Sequence, residues 1–382
     1  MPRKKETRNA NGSGSIYQRA DGRWEGKATI GYNPSNGKLI RKSVYGKTQS
    51  EVRKKIAEIT VEIDKGTYKE PTKLKLAEWL EIWLNEYMTG LKPLTVKSYR
   101  ATVNNHIIPA LGNVRLTELN PHTVQTFINK LAEALSPKTV KNVHGVLHQG
   151  LSQAAIVGYI PSNPADHCKL PKVTKPKINP LDKGQISAFL DAIRGDYFES
   201  IYLVDLFTGM RQSEIVGLTW DCIDFDKGTI TIYRQWQKLK GGYQFVSPKN
   251  NKSRVIRPPA LVLSAIKQVR AAQLENQLRA GSAWENQENF VFTNELGQPL
   301  KHETIRVHFK KIATSIGLPD LRFHDLRHSF AVLSLQIGDD IKTVQENLGH
   351  HSAAFTLDTY AHVTDSMKEE SASRLDRFIG TL

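Results

Sequence analysis

Near the start of the chain, apolar and polar positions alternate in three short runs: SIYQRA (15–20), RWEGKATIGY (23–32) and KLIRKSVYG (38–46). Alternation with a period of two predicts strands, and the intervening DG and NPSNG carry hairpin turn chemistry, so a three-stranded sheet is expected. In TQSEVRKKIAEITVEIDKG, Thr48 and Glu51 have capping-box spacing, which predicts a helix starting there. KGTYKEPTKLK (65–75) loses all periodicity and reads as a linker. From there the period changes to that of helices. LAEWLEIWLNEYM, LTVKSYRATVNNHIIPALG, TELNPHTVQTFINKLAEAL and SPKTVKNVHGVLHQGLSQAAIVGYI predict four of them. Thr95 is the expected cap of the second, and Asn or Ser beside Pro opens the last two. The tryptophans of the first read as core. NPADHCKLPKVTKPKINPL (163–181) is proline-rich and aperiodic, a second linker. Beyond it the pattern mixes helices (LDKGQISAFLDAI, YFESIYLVDLFTG, PALVLSAIKQVRAAQLENQLRAG) with strand-like GTITIYRQWQ, YQFVS and SRVIRPP.

The expected fold class is therefore multidomain α+β. A small three-stranded sheet plus helix occupies 1–64, an all-helical domain 74–163, and a mixed, mainly helical domain with a β-hairpin region 176–382. A chain of 382 residues agrees with two or three domains.

Charge sharpens this picture. The net charge of +15 points to a polyanionic partner, nucleic acid first and an anionic membrane surface second. Residues 1–55 hold 14 Lys/Arg against 4 Asp/Glu, with Tyr17, Trp24, Tyr32 and Tyr45 interleaved, so this unit is expected to bind DNA. Its candidate contacts are Arg23, Lys27 and Arg41. In the helical stretch, Lys97, Arg100, Lys138 and Lys141 lie near the starts of their helices, where backbone N–H groups favour phosphate; an ordinary solvated face explains each one nearly as well. Cys168 and Cys222 are too few for a disulfide framework or a zinc site. No run of 18 apolar residues predicts a membrane span, and the basic N-terminus lacks the apolar core of a secretory signal.

The last 200 residues carry the candidate chemistry. In HDLRHSF, His324 and Arg327 are three apart and share a helix face. A guanidinium there can hold nonbridging phosphate oxygens while an imidazole moves a proton near neutral pH. His328 would equally cap or pack. In TGMRQSEIVGLTW, Arg211 opens a helix, and a salt bridge to Glu214 is as good an account of it as a ligand. SPKNNKSRVIRPP puts Lys249 and Lys252 in a polar turn between strands, where a lysine can lean into a groove and protonate a leaving oxygen. In ENLGHHSAAFTLDTYAHV, Gly349 reads as the residue just past a helix end, followed by His350. Tyr360 comes ten residues later, and needs neighbouring cations to act as a nucleophile.

Each piece is weak alone. Their order, Arg211, hairpin lysine, HxxR, LGH and tyrosine, resembles the tyrosine recombinases, the phage-integrase family, across almost the whole length. The basic sheet-plus-helix unit resembles the arm-site-binding domain of integrases from conjugative transposons, and 75–160 resembles their core-site-binding domain. One departure is LGHHS, where His351 replaces a small polar residue; His350 is taken as the motif histidine because it directly follows Leu-Gly. The resemblance implies metal-free phosphoryl transfer without any cofactor. Arg211 and Arg327 would clamp the scissile phosphate, Tyr360 would attack it, His324 would take the tyrosine proton, Lys249 would protonate the leaving 5′-oxygen, and His350 would hydrogen-bond the phosphate. It also implies double-stranded attachment or transposon-end DNA as partner, a homotetramer on two duplexes, an excisionase and DNA-bending proteins as accessories, and a cytoplasmic, nucleoid-associated bacterial protein. The amphipathic end, 366–382, would pack on a neighbouring protomer. Competing readings are a DNA-binding protein with a vestigial site, a metal-dependent phosphohydrolase and a type IB topoisomerase.

Overall fold

A computed structural model describes residues 15–32, 36–64, 73–174, 179–239, 241–248, 252–350, 352–354, 357, 372–373 and 375–381. Lys249, His351 and Tyr360 lie outside the described residues. The chain divides into two compact units, 1–174 and 175–382.

The first unit opens with β1 (Ser15–Gln18), β2 (Trp24–Tyr32) and β3 (Leu39–Gly46), an antiparallel sheet with β2 central. Strand alternation sorts its side chains. Ile16, Trp24, Ala28 and Val44 pack with Val52, Ile56 and Ile59 of α1 (Gln49–Asp64). The opposite face carries the cross-strand rows Tyr17–Glu25–Tyr45, Ser15–Lys27–Ser43 and Thr29–Arg41. The Thr48 hydroxyl caps α1 by accepting from the Glu51 N–H at 3.2 Å, while the Glu51 carboxylate accepts from the Lys47 N–H, one residue before the cap.

Within the same unit run α2 (Leu76–Glu86), α3 (Pro93–Thr102), a π-helical turn (Val103–Ile107), α4 (Ile108–Leu111), α5 (Pro121–Ala134) and α6 (Pro137–Ile156). Trp79, Leu80 and Trp83 of α2 are buried against Ile107, Phe127, Ile128, Leu147 and Leu151, as the apolar stripe requires. The Asn120 and Ser136 side chains accept from the Thr123 and Thr139 N–H groups. The expected cap at Thr95 is not one: α3 starts at Pro93 behind Lys92. Proline costs nothing there, because the first helical N–H has no partner in any case. Pro109 falls inside the continuing helix, and the π turn widens the backbone around it, with the Ile108 N–H bonding the Val103 carbonyl. The aperiodic stretch from 163 also differs from the linker expected there. Asn163 bonds the His148 carbonyl, Gln125 and Lys169 exchange two hydrogen bonds, and Cys168 and Leu170 pack on the helical core. Proline removes periodicity without removing packing.

The second unit contains α7 (Lys183–Ile193), α8 (Glu199–Thr208), α9 (Gln212–Val216), β4 (Ile223–Asp224), β5 (Thr229–Ile232), β6 (Gln235–Leu239), β7 (Gly242–Val246), β8 (Arg254–Ile256), α10 (Ala260–Ala280), α11 (His302–Ser315), α12 (Phe323–Gln336) and α13 (Ile341–Leu348). Its core centres on Phe189, Tyr202, Phe309 and Phe323, whose rings meet at 5.5–6.1 Å. The run expected as one strand, GTITIYRQWQ, is two. Among the described residues, β5 pairs with β4 and β8, while β6 pairs with β7. Between them Tyr233 and Arg234 turn back to Asp221 and Thr219, anchors far away in sequence. α12 packs along α8 and is buried through most of its length, which brings Asp325, Leu326 and Arg327 of HDLRH into the interior.

Candidate active site

The last carbonyls of any helix lack partners within it. At the end of α13 three arginines from three other elements take three successive ones. Arg254 Nε of β8 donates to the Asn347 oxygen at 2.8 Å, Arg327 Nη2 of α12 to the Leu348 oxygen at 2.5 Å, and Arg211 Nη2 to the Gly349 oxygen at 3.2 Å. The negative end of the helix dipole favours this gathering of cations. Gly349 is left-handed, with φ at 62°, and lets the chain turn so that the His350 N–H returns to the Gln345 carbonyl. α8 ends in the same way on Gly209, with φ at 61°, whose carbonyl accepts from Arg327 Nη1. That turn makes Arg211 the N-cap of α9.

Glu214 is the counter-ion. Its side chain is buried and accepts from the Arg211 N–H at 2.9 Å, from Arg211 Nη1 at 2.8 Å, and from Arg254 at 3.1 and 2.6 Å. Burial alone would push this carboxyl up. The hydrogen bond and charge of Arg254, then the charge of Arg211, outweigh burial and hold it down at about 2. The ion pair to Glu214 and a role toward phosphate are thus compatible readings of Arg211. A second carboxyl, Asp205 on α8, is also buried, and its Oδ1 has no hydrogen-bond partner among the described residues. Burial drives it well above the carboxylate range, with Arg327 opposing and Glu214 adding.

Around these cations the imidazoles stay neutral. Burial, then the charges of Arg327 and Arg211, push His350 down to about 3. Burial, then His328 and Arg327, push His324 to about 4, although it keeps exposed surface. His328 is lowered too, mainly by burial, and its ring meets that of His324 edge-on at 5.0 Å. A neutral imidazole can accept a proton at physiological pH. A cleft of about 340 Å³ is lined by Arg211, Lys252, Arg254, Gln345, Gly349 and His350. A larger one, about 1030 Å³, runs past His324, Arg306, Lys310 and Arg322.

Four sequence-derived candidates, Arg211, His324, Arg327 and His350, thus fall in one place, drawn from segments up to 139 residues apart. Lys252 lies beside them. Sequence reasoning passed over Arg254, reading SRVIRPP only as a strand. One signal was there: Arg254 shares its strand face with the buried Ile256, and a charge on a buried face requires a partner. Glu214 was weighed only as a salt-bridge partner, and Asp205 carried no signal distinct from its helix.

The expected DNA contacts lie elsewhere. Lys27 and Arg41 share the open sheet face, with the Lys27 ammonium 6.0 Å from the Tyr17 ring. Arg23 is exposed in the β1–β2 turn and paired with Asp21 at 2.8 Å. Lys138 is exposed on the first turn of α6, and Lys97 and Lys141 are exposed just past the first turns of α3 and α6, neither of which has an acid in that turn. Arg100 differs: its guanidinium is held by Glu81 and Asn85 of α2. Long side chains reach back over one turn, and α2 offers two acceptors there.

Comparison with known proteins agrees with this geometry. Residues 180–367 match the model of the phage integrase family, and 75–132 match that of the phage integrase N-terminal SAM-like domain. A tyrosine recombinase XerC-like protein of Caldanaerobacter subterraneus subsp. tengcongensis is 31% identical over 92% of this chain and 95% of its own. Among solved structures, the Tn1549 transposon integrase in complex with transposon right end DNA matches 79% of this chain and 100% of its own, with TM-score 0.69 and 23% identity. A lambda integrase tetramer bound to a Holliday junction matches 91% and 97%, with TM-score 0.57 and 17% identity. The chain belongs to the phage integrase family of tyrosine recombinases, enzymes that break and rejoin DNA.

Proposed function

We propose that this chain is the integrase of a mobile genetic element, a conjugative transposon or prophage, which it excises and inserts through a 3′-phosphotyrosine link. The observation that carries the reading is the arginine cluster at the end of α13: three guanidiniums, one compensating carboxylate (Glu214) and neutral histidines leave the cleft cationic and suited to a phosphodiester. Arg211 and Arg327 hold the nonbridging oxygens and stabilise the charge of the pentacoordinate state. The Tyr360 oxygen attacks phosphorus in line and loses its proton to neutral His324. The bond to the 5′-oxygen breaks, and Lys249 delivers a proton to it; Lys252, on the cleft wall, is the alternative donor. His350 hydrogen-bonds the phosphate. The phosphotyrosine link conserves the phosphodiester energy, so rejoining needs no nucleotide and no cofactor. A 5′-hydroxyl of the partner duplex completes the exchange.

The Tn1549 and lambda complexes support double-stranded transposon or attachment-site DNA as partner, and four protomers on two duplexes as the working unit. In this reading 1–64 binds arm sites, 74–163 core sites, and 176–382 does the chemistry, with excisionase and DNA-bending proteins as accessories. Within 366–382, Leu375, Phe378 and Ile379 are exposed, which suits packing on a neighbouring protomer. No described helix is long and apolar enough to cross a membrane.

Covalent trapping tests the reading. With EDTA present, the unmutated chain and Tyr360→Phe are incubated with a nicked suicide substrate from the element's end. The expected result is a denaturation-resistant adduct with the unmutated chain only. Bound DNA without adduct would leave a DNA-binding protein, and an adduct with Tyr360→Phe would move the nucleophile elsewhere.

A further inference from the structure

Arg254 is the least accessible of the cations bonded to Glu214: its side chain is 11% exposed, against 21% for Arg211. It binds both carboxylate oxygens of Glu214 and the Asn347 carbonyl, and so joins β8, α9 and the end of α13. The contact is tight, since a methyl group at Gly349 would come within 3.0 Å of its guanidinium. Without Arg254, Glu214 would have one guanidinium in place of two. Arg211 Nη1 donates to Glu214 Oε1, the same oxygen that Arg254 Nη1 reaches. The carboxylate would then be free to draw Arg211 further onto itself, away from a substrate. The Gly349–His350 turn would lose one of its three clamps.

We infer that Arg254 is a positioning residue for the strand-breaking reaction: by occupying Glu214 and the end of α13, it keeps the Arg211 guanidinium available to the scissile phosphate and His350 in register beside it. The inference rests on the role given to Arg211 above. It gives this site a third arginine, which acts through its neighbours.

The test compares two substrates in single-turnover cleavage: normal DNA, and DNA whose scissile phosphate carries a methyl group for one nonbridging oxygen, which removes its negative charge. The variants are Arg254→Gln, Arg254→Lys, Glu214→Gln and the double variant Arg254→Gln/Glu214→Gln, with Arg211→Ala as reference. Thermal melting and DNA affinity accompany each. On normal DNA, Arg254→Gln is expected to cut on the order of 10²-fold more slowly at unchanged DNA affinity, as for a misplaced reacting group. Arg254→Lys keeps the charge but not the fork, and falls between. On the uncharged substrate the losses of Arg211→Ala and Arg254→Gln both shrink. The double variant is no worse than the more severe single one, since both act through one link. An equal loss on both substrates, full activity of Arg254→Gln on normal DNA, or additive losses in the double variant would overturn the inference. If Arg254→Gln does not fold, Arg254→Lys decides by the same comparison. If Arg211→Ala itself loses equally on both substrates, the role of Arg211 fails, a result distinct from failure at Arg254.

Discussion

At the scale of single residues, this site is a set of cations around two buried carboxyls in opposite states. Glu214 accepts hydrogen bonds from two guanidiniums and stays ionised. Asp205 Oδ1 has no partner among the described residues, and burial raises its carboxyl well above its ordinary 3.8. The folded chain therefore keeps a proton at Asp205 that the unfolded chain releases near the ordinary value. Its contribution to stability is complete below 3.8 and is lost as pH rises toward the folded value. Asparagine keeps the shape of the protonated acid and does not titrate. Asp205→Asn is thus expected to gain in melting temperature over the unmutated chain as pH is raised from about 5 to about 8. A difference that stays flat over that interval would show a carboxylate held ionised by Arg327. Residue chemistry explains the use of arginine here as well: a lysine cannot reach a carbonyl and a second acceptor in one plane.

At the scale of elements, two helix ends build the site, and both depend on left-handed glycine. A methyl at Gly209 would lie 2.5 Å from the Phe330 ring and 2.7 Å from Leu348, whereas the three atoms nearest to one at Gly349 all belong to Arg254, the nearest at 3.0 Å. Gly209→Ala is expected to cost about 2–4 kcal/mol in denaturant unfolding, from overpacking added to backbone strain. Gly349→Ala should cost about 1–2 kcal/mol, yet slow cleavage more than that loss explains, because it moves the carbonyls that Arg211 and Arg327 bind. The reverse order of stabilities would mean that the two turns relax differently from the packing described here. Elements were legible where their signals are local. The caps at Asn120 and Ser136 have their side-chain bonds within three residues. The β5–β6 break was not legible, because Tyr233 and Arg234 are anchored 12 and 15 residues away.

At the scale of the molecule, charge and chemistry occupy separate regions of the chain. The arginine cluster lies wholly within 175–382, while the open sheet face with Lys27, Arg41, Tyr17 and Tyr45 lies in the first 64 residues. A chain beginning at residue 73 is therefore expected to form the covalent adduct on core DNA at the rate of the full chain, but to lose arm-site binding. Its affinity for long attachment DNA should also fall less steeply with salt, since fewer phosphates are neutralised. An unchanged salt slope would place the arm contacts outside 1–64.

The periodicities, the caps at Thr48, Asn120 and Ser136, the basic opening unit and the order of chemical groups that marks the family can all be read along the chain. Those features are local, or survive as spacing along the chain. Packing alone brings Arg211, Arg254 and Arg327 to three successive carbonyls of one helix end, sets Glu214 between two of them, and buries Asp205 beside them. Burial is the cause. Partnerless carbonyls and charges are costly away from water, and which groups satisfy them depends on which elements pack together, across separations of up to 138 residues that no local pattern encodes.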